Sequence, residues 1–145
     1  MDILSGGLHA RLVGGETKMK VLLIEDSKFQ RTANGRALIR AGYDVLYAAD
    51  GEEGLGAAQE NIPDLILLDM MLPKMSGLDV LRALKADVLV KHIPVVVLSG
   101  LGQANEAKLL KEGAAAFLMK TTESFESNSS ALIQALQSLL TGSKA

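Results

Sequence analysis

The chain lacks cysteine altogether, and aromatic residues make up only 3% of its 145 residues. Without cysteine it has no disulfide bond, thiolate nucleophile or cysteine-ligated zinc. The apolar runs are all much shorter than the roughly 18 residues that a membrane-spanning helix requires. A net charge of −2, with no Lys/Arg cluster interleaved with aromatics, gives no indication of nucleic-acid or anionic-membrane binding. These absences leave a protein that we expect in the reducing cytoplasm.

The length and the 48% content of hydrophobic residues fit one domain with a single core. We expect residues 1–18 to form a flexible N-terminal extension, because they contain two Gly-Gly pairs and lack the apolar segment of a secretion signal. Residues 19–145 then form the domain. Met19 would serve as a start residue, so the extension is open to three interpretations: a regulatory arm, a mis-assigned start or a remnant of cloning.

Four short apolar runs, rich in Val, Ile and Leu, each end at a polar residue. Continuous apolar runs of this length are typical of strands buried on both faces of a parallel sheet. The runs and the residues that follow them are Val21–Ile24 before Glu25 and Asp26, Leu65–Leu68 before Asp69, Val95–Leu98 before Ser99, and Phe117–Met119 before Lys120. Residues 43–48 are predicted to add a fifth strand.

Stretches with helical spacing of apolar residues separate these runs. In the first stretch, residues 27–41, the side chains expected to face the sheet are Phe29, Ala33, Ala37, Leu38 and Ala41. The other predicted helices span residues 50–60, a stretch after Gly77, residues 103–112, and a last segment with Leu132, Ile133, Leu136, Leu139 and Leu140 inward. Alternating strands and helices with right-handed crossovers predict an α/β fold with an open, doubly wound, five-stranded parallel sheet. Five units are too few for an eight-stranded barrel.

Ligands of such sheets bind at the carboxyl ends of the strands. If the four runs are neighbouring parallel strands, three carboxylates, one hydroxyl and one ammonium meet at a single edge. Three crowded carboxylates repel one another by about 4 kcal/mol per pair at roughly 4 Å and an effective dielectric constant near 20, so a divalent cation relieves them. Mg²⁺ prefers octahedral oxygen coordination and retains several waters. The sequence therefore predicts a site for a metal ion and a phosphoryl group.

The order of an acidic pair, a lone Asp, a Ser and a Lys, each closing a strand, resembles the receiver domain of two-component response regulators, the CheY-like family. The segments that support the resemblance are Asp69–Pro73, Ser76-Gly77 at the start of a helix, and Gly113–Lys120. The resemblance covers residues 19 to about 140. It implies a flavodoxin-like (βα)5 fold with strand order 2-1-3-4-5.

The resemblance also implies roles for the acidic residues. Asp69 matches the phosphoacceptor, whose carboxylate attacks a phosphoryl group and forms an acyl phosphate. Asp26, Asp69 and the backbone carbonyl of Met71 match the ligands of Mg²⁺, with Glu25 acting through water. The apolar side chain of Met71 would point toward the path of the water that attacks the acyl phosphate.

Three further residues complete the implied machinery. Lys120 resembles the lysine that pairs with the phosphoryl oxygens. Ser99 resembles the hydroxyl that turns inward to bind the same group after phosphorylation. Phe117 matches the aromatic residue that rotates inward as the hydroxyl moves. The residues that would take part in phosphoryl transfer are thus Asp69, Lys120 and Ser99. The residues that would change conformation after phosphorylation are Ser99 and Phe117.

The chain departs from the family pattern after Lys120, where members usually carry Pro and this chain has Thr121. A cis bond before Thr121 would cost about 2.5–4 kcal/mol, so we expect a trans peptide and a differently shaped loop. The polar residues 123–130 are also expected to delay the last helix. Both differences concern the partner surface formed by the fourth helix, fifth strand and fifth helix, and leave the phosphorylation chemistry intact.

The sequence thus predicts a stand-alone receiver that takes a phosphoryl group onto Asp69, with Mg²⁺, from a phosphohistidine of a sensor histidine kinase or a histidine phosphotransfer protein. It would catalyse only its own phosphorylation and dephosphorylation and signal to another protein through a changed surface. The alternatives are a binding module that works without phosphorylation, a fragment of a larger regulator or hybrid kinase, and a magnesium phosphohydrolase. The phosphohydrolase would need a second general acid/base and a substrate pocket, which the sequence does not indicate.

Overall fold

The computed structural model describes residues 12–13, 16–100, 106–119 and 125–140. Within them, one sheet contains five strands: β1 (Lys20–Ile24), β2 (Asp44–Ala48), β3 (Leu65–Asp69), β4 (Val95–Ser99) and β5 (Ala116–Met119). All neighbours pair in parallel, and the order across the sheet is β2-β1-β3-β4-β5. The predicted flavodoxin-like order 2-1-3-4-5 is therefore confirmed.

A helix follows each strand: α1 (Lys28–Arg40), α2 (Gly51–Asn61), α3 (Gly77–Ala86), α4 (Glu106–Lys111) and α5 (Phe125–Leu140). Ser27, Asp50 and Ser76 cap the first three helices. Each accepts a hydrogen bond from the backbone N–H three residues on, at 3.2, 2.8 and 3.1 Å, which satisfies one of the groups that a helix start leaves unpaired. Within the described part of the chain, no helix is both long and apolar enough to cross a membrane.

The strands contribute side chains to two apolar clusters, one on each face of the sheet. The strand residues of the face covered by α2, α3 and α4, called the α2–α4 face, include Leu22, Ile24, Ile66, Leu68, Val95 and Val97. Those of the face covered by α1 and α5, called the α1–α5 face, include Val21, Leu23, Leu65, Leu67, Val96 and Leu98. Because successive side chains point to opposite faces, a continuous apolar run is what this double burial requires.

The first helix faces the sheet with a narrower stripe than predicted. Its buried residues are Gly35, Ala37 and Leu38, whereas Phe29 is 67% exposed and Ala41 is also exposed. The prediction that Phe29 packs inward is wrong because a spacing of four residues drifts around a helix of about 3.6 residues per turn. Between Phe29 and Ala37 the drift reaches about 80°, which turns the Phe29 ring to solvent.

The last helix begins earlier than predicted. α5 starts at Phe125, so most of the polar stretch 123–130 lies within the helix, and the predicted delay is wrong. Ser129 of this stretch is buried, and its hydroxyl donates to Oδ1 of Asn34 on α1 at 3.0 Å. The polar residue is thus accommodated at the contact between the two helices. Four of the predicted inward side chains contribute to the α1–α5 face: Leu132, Ile133, Leu136 and Leu139. The side chain of Leu140 lies outside the described part of the chain.

Two short strands lie in the predicted N-terminal extension. Leu12–Val13 and Glu16–Thr17 pair antiparallel, which the sequence analysis did not predict. The chain joins the five-stranded sheet at Met19 and Lys20. Met19 O accepts the N–H of Asp44 at 2.9 Å, and Asp64 Oδ2 accepts the N–H of Lys20 at 2.8 Å. Residues 1–11 and 14–15 lie outside the described residues, and the domain boundary at residue 19 stays a prediction.

An ion pair links α3 to the segment after α4. Nε and Nη2 of Arg82 donate to the two carboxylate oxygens of Glu112 at 3.1 and 3.0 Å, and this hydrogen bonding lowers the pKa of Glu112. The stabilisation by the pair is therefore complete above the unfolded-state pKa of Glu112 and is lost as the pH falls through the lowered pKa.

Nearby, burial lowers the pKa of Lys85, whose ammonium donates to the carbonyls of Lys91 and Ile93 at 3.0 and 2.9 Å.

Two glycines of α2 have different surroundings. A Cβ added at Gly54 would lie 2.5 Å from Cδ1 of the fully buried Ile24, whereas a Cβ at Gly56 would meet no atom within 4 Å. Glycine inside a helix is less favourable than alanine by about 1 kcal/mol. At Gly54 the lack of a side chain lets α2 pack closely on β1, which offsets this cost. Gly56 makes no such contact, so its cost is not offset.

We expect Gly56→Ala to raise the free energy of unfolding by about 0.5–1 kcal/mol, because it improves helix propensity without a clash. The matched variant Gly54→Ala should lower it, because overpacking in a core costs roughly 1–3 kcal/mol and outweighs the gain in propensity. Urea unfolding followed by circular dichroism measures both. A stabilised Gly54→Ala would show that α2 does not approach β1 as closely as described.

Candidate functional site

The carboxyl ends of β1, β3 and β4 lie side by side at one edge of the sheet. The register of β1 against β3 places Glu25 level with Asp69, and the register of β3 against β4 places Ser99 one position further on. All three residues are buried, with exposed fractions of 1%, 3% and 0%. The structure therefore brings two carboxylates and one hydroxyl of the predicted site to neighbouring strand ends, away from bulk water.

The loop after β3 holds the Asp69 carboxylate. Its Oδ1 accepts the backbone N–H of Met71 at 3.0 Å, a turn that Asp favours because its short side chain reaches the backbone two residues on. Met70 anchors the loop, since its N–H donates to Leu98 O at 2.9 Å and its carbonyl accepts the N–H of Gly77 at 3.4 Å. A Cβ at Gly77 would lie 2.6 Å from Cα of Met70, so this approach requires glycine.

The acidic pair after β1 is held by the first turn of α1. Oε2 of Glu25 accepts the backbone N–H of Ser27 at 3.1 Å. Nη1 of Arg31 donates to the carbonyl oxygens of Glu25 and Asp26 at 2.8 and 3.2 Å. The two acidic residues differ in exposure, because Glu25 is buried and Asp26 is exposed. Asp26 is thus the member of the pair that presents its carboxylate at the surface.

The predicted metal ligands, which are Asp26, Asp69, the carbonyl of Met71 and Glu25 through water, stay a prediction. Among residues 12–13, 16–100, 106–119 and 125–140, no three Asp, Glu, His or Cys side chains converge in a group that could hold a metal ion. The hydrogen bond to Ser27 N–H gives the Glu25 carboxylate a backbone partner within its own turn. The remaining predicted donors, the carboxylates of Asp26 and Asp69 and the carbonyl of Met71, are all oxygens. They fit Mg²⁺, which commonly binds through one or two carboxylates and retains waters.

Ser99 and Phe117 belong to the same face of adjacent strands. The register pairs Phe117 with Val97, two residues before Ser99, and Phe117 is half-buried against the α2–α4 face. The Ser99 hydroxyl donates to the carbonyl of Gly100 at 3.4 Å, beyond the usual range of about 2.5–3.0 Å for O–H···O bonds. A hydroxyl held by so long a bond can change partners at small cost.

Lys120 lies outside the described residues, as do residues 101–105 and 121–124 of the loops around it. The described part of β5 ends at Met119, which pairs with Ser99. The roles predicted for Lys120 and the trans peptide before Thr121 therefore stay predictions.

Arg31 and Ser27 are parts of the site that the sequence analysis missed. Ser27 carried a signal, since Ser directly before an amphipathic stretch favours a helix N-cap. Arg31 carried a weaker one: side chains on a helix lean toward its N-terminus, so an arginine in the first turn reaches back toward the strand end. Spacing alone does not show that it contacts two carbonyls there.

Comparisons with known proteins match this architecture. A family profile described as the response regulator receiver domain matches residues 21–136. The gliding motility regulatory protein of Myxococcus xanthus is 38% identical over 104 residues, which cover 71% of this chain and 13% of that protein. The chain thus spans about an eighth of the length of that relative.

Two solved structures share the fold. The chemotaxis response regulator CheY4 of Vibrio cholerae is 32% identical with a TM-score of 0.69, covering 81% of this chain and 98% of that chain. The receiver domain of a sensor histidine kinase from Pseudomonas aeruginosa, with a magnesium ion coordinated in its active-site cleft, is 25% identical with a TM-score of 0.72, covering 88% of this chain and 100% of that chain. Because the family match runs through well over half of the chain and includes all the site residues described above, the chain belongs to the response regulator receiver domain family.

Proposed function

We propose that this receiver accepts a phosphoryl group on Asp69 from a phosphohistidine of a sensor histidine kinase or a histidine phosphotransfer protein. The observation that carries the proposal is the Asp69 carboxylate itself. It is 3% exposed at the end of an apolar strand, and the Met71 N–H holds its Oδ1 at 3.0 Å. A carboxylate oriented by backbone in this way is prepared for nucleophilic attack without a search of rotamers.

In the proposed transfer, an Asp69 oxygen forms a bond to phosphorus while the phosphorus–nitrogen bond to the donor's imidazole breaks. The electron pair of the broken bond stays on the imidazole nitrogen, and the product is an aspartyl phosphate. Negative charge on the transferring group is stabilised by nearby positive groups. Lys120, which the sequence places directly after β5, is proposed to supply that charge.

Mg²⁺ is the proposed cofactor, held by Asp26, Asp69 and the carbonyl of Met71, with Glu25 acting through water. When bound, it supplies positive charge beside the phosphoryl oxygens. The support is the chemistry of the donors, which are oxygens only, together with the magnesium ion coordinated in the cleft of the Pseudomonas receiver. In this arrangement Asp26 contributes a surface carboxylate and Asp69 a buried one.

The proposed output is a switch of a protein-binding surface. A phosphate on Asp69 offers new acceptor oxygens, and the Ser99 hydroxyl, whose described bond to Gly100 is 3.4 Å long, would turn to them. Phe117 belongs to the same sheet face as Ser99 and is half-buried, so the space that the hydroxyl leaves would bias the position of its ring. Two arrangements of one packed region are what a two-state switch requires.

We also propose that the protein acts as a stand-alone receiver in the cytoplasm. CheY4 supports the first part, since this match covers 98% of that chain. The Myxococcus relative supports the alternative, a fragment of a larger regulator or hybrid kinase, because the match covers 13% of it. The lack of cysteine is consistent with a reducing compartment.

A receiver-like module that works without phosphorylation is the second candidate function. One observation favours it: the chain has Thr121 after Lys120, where family members usually carry Pro. Such a module would bind its partner equally well with and without a phosphodonor and would have little affinity for Mg²⁺.

Incubation with Mg²⁺ and a small acyl-phosphate or phosphoramidate donor should add one phosphoryl group, about 80 Da, to the wild type. Asp69→Ala should gain no mass, because the nucleophile is gone. Asp44→Ala, which removes an exposed carboxylate on the edge strand β2, is the matched control and should be modified like the wild type. Intact-protein mass spectrometry reads all three. Equal modification of Asp69→Ala would assign the acceptor elsewhere, and an unmodified wild type at saturating Mg²⁺ would favour the phosphorylation-independent module.

The lifetime of the aspartyl phosphate should depend on Met71, whose side chain is 60% exposed next to the acceptor. A thioether does not orient water, whereas the amide in Met71→Asn can. One hydrogen bond to the attacking water, worth about 1 kcal/mol, would speed dephosphorylation roughly 5-fold. Loss of the phosphoryl mass after removal of the donor gives the rate, and Met71→Leu is the control that keeps the apolar character. A slower Met71→Asn would refute this role.

A further inference from the structure

Arg31 is placed to control the geometry of the acidic pair. Its Nη1 donates to the carbonyl of Glu25 at 2.8 Å and to that of Asp26 at 3.2 Å. One nitrogen therefore bridges two successive carbonyl oxygens at the point where the chain leaves β1. The contact joins the first turn of α1 to the strand end that carries the predicted metal ligand.

The start of α1 fixes Arg31 in turn. Its backbone N–H donates to the carbonyl of Ser27 at 2.8 Å, the first hydrogen bond of the helix. Ser27 Oγ accepts the N–H of Gln30 at 3.2 Å as the N-cap, and Ser27 N–H donates to the Glu25 carboxylate at 3.1 Å. Hydrogen bonds therefore connect the whole segment from Glu25 to Arg31. The Arg31 guanidinium completes the network by its bonds to the carbonyls of the acidic pair.

Asp26 depends on this set more than Glu25 does. Glu25 is buried and its carboxylate accepts the Ser27 N–H. Asp26 is exposed, and in the described part of the chain the hydrogen bond that it makes is the one from Arg31 to its carbonyl. The direction of its Cα–Cβ bond, and hence the reach of its carboxylate, follows from the backbone that Arg31 holds.

We propose that Arg31 is a positioning residue for Mg²⁺: by holding the carbonyls of Glu25 and Asp26, it aims the Asp26 carboxylate at the cation. The inference rests on the proposed function, since it concerns the cation of the same site. Arg31 touches neither the phosphoryl group nor the metal in this role. It acts through the backbone of the ligand.

Electrostatics and positioning act in opposite directions at this residue. A guanidinium near the site repels a divalent cation, so removal of its charge by itself would tighten Mg²⁺ binding. Loss of the backbone restraint would weaken it, because Asp26 would have to be ordered when the cation binds. The sign of the change in Kd therefore separates the two effects.

The experiment is a titration of the full chain with Mg²⁺ by isothermal titration calorimetry, without a phosphodonor. Arg31→Met should raise the Kd about 10-fold, the lower end of what loss of an outer hydrogen bond to a metal ligand typically costs. Arg31→Lys keeps the charge but lacks the planar fork, and we expect a smaller rise. Arg36→Met removes an exposed arginine further along α1 and should leave the Kd unchanged.

Each outcome has a defined meaning. An unchanged or lower Kd for Arg31→Met, with wild-type circular dichroism, overturns the positioning role while the proposed function stands. A wild type that binds no Mg²⁺ refutes the magnesium-dependent function, and the inference with it. Should Arg31→Met not fold, Arg31→Lys decides: a raised Kd at retained charge supports positioning, and an unchanged Kd overturns it. A fall in melting temperature without a change in Kd identifies a purely structural residue.

Discussion

Burial of the central strands on both faces is the constraint on which this structure depends. β3 and β4 are buried along their whole length, so they admit polar side chains only where they end. Asp69 and Ser99 stand at those ends, and backbone groups hold both. The helices cover the two apolar faces, and the strand ends pass into capped helix starts such as Ser27 and Ser76. The acidic chemistry is therefore concentrated at one edge because the hydrophobic effect excludes it from the rest of the sheet.

Much of this arrangement is predictable from sequence because burial depends on residue type. Apolar runs sufficed for the strands, and the strand order came from the resemblance. Phe29 was assigned to the wrong side because a spacing of four residues only approximates the helical repeat. The start of α5 was missed because the burial of Ser129 depends on Asn34, 95 positions away. The contact of Arg31 with two carbonyls was missed for a similar reason: it depends on the local geometry where β1 passes into α1, and the order of polar residues does not encode that geometry.

Within the site, the backbone determines much of the geometry. The Met71 N–H donates to the Asp69 carboxylate, and the Ser27 N–H donates to the Glu25 carboxylate. The Arg31 guanidinium donates to the backbone carbonyls of Glu25 and Asp26. Side chains at the ends of strands would otherwise sample several rotamers, and ordering them on binding costs free energy. Ligands that are restrained before binding avoid this cost. The proposed Mg²⁺ ligands, two carboxylates and one carbonyl with Glu25 acting through water, would benefit in this way.

The alternation of the strands has a consequence for how a signal travels. Asp69 continues the series of Leu65 and Leu67, which belong to the α1–α5 face, whereas Ser99 continues the series of Val95 and Val97 on the opposite face. Phe117 lies with Ser99. The proposed phosphoacceptor and the proposed switch residues therefore belong to opposite faces of the sheet. Under the proposed function, the signal would pass between the two faces at the carboxyl ends of the strands, and the phosphodonor and the downstream protein would bind different faces.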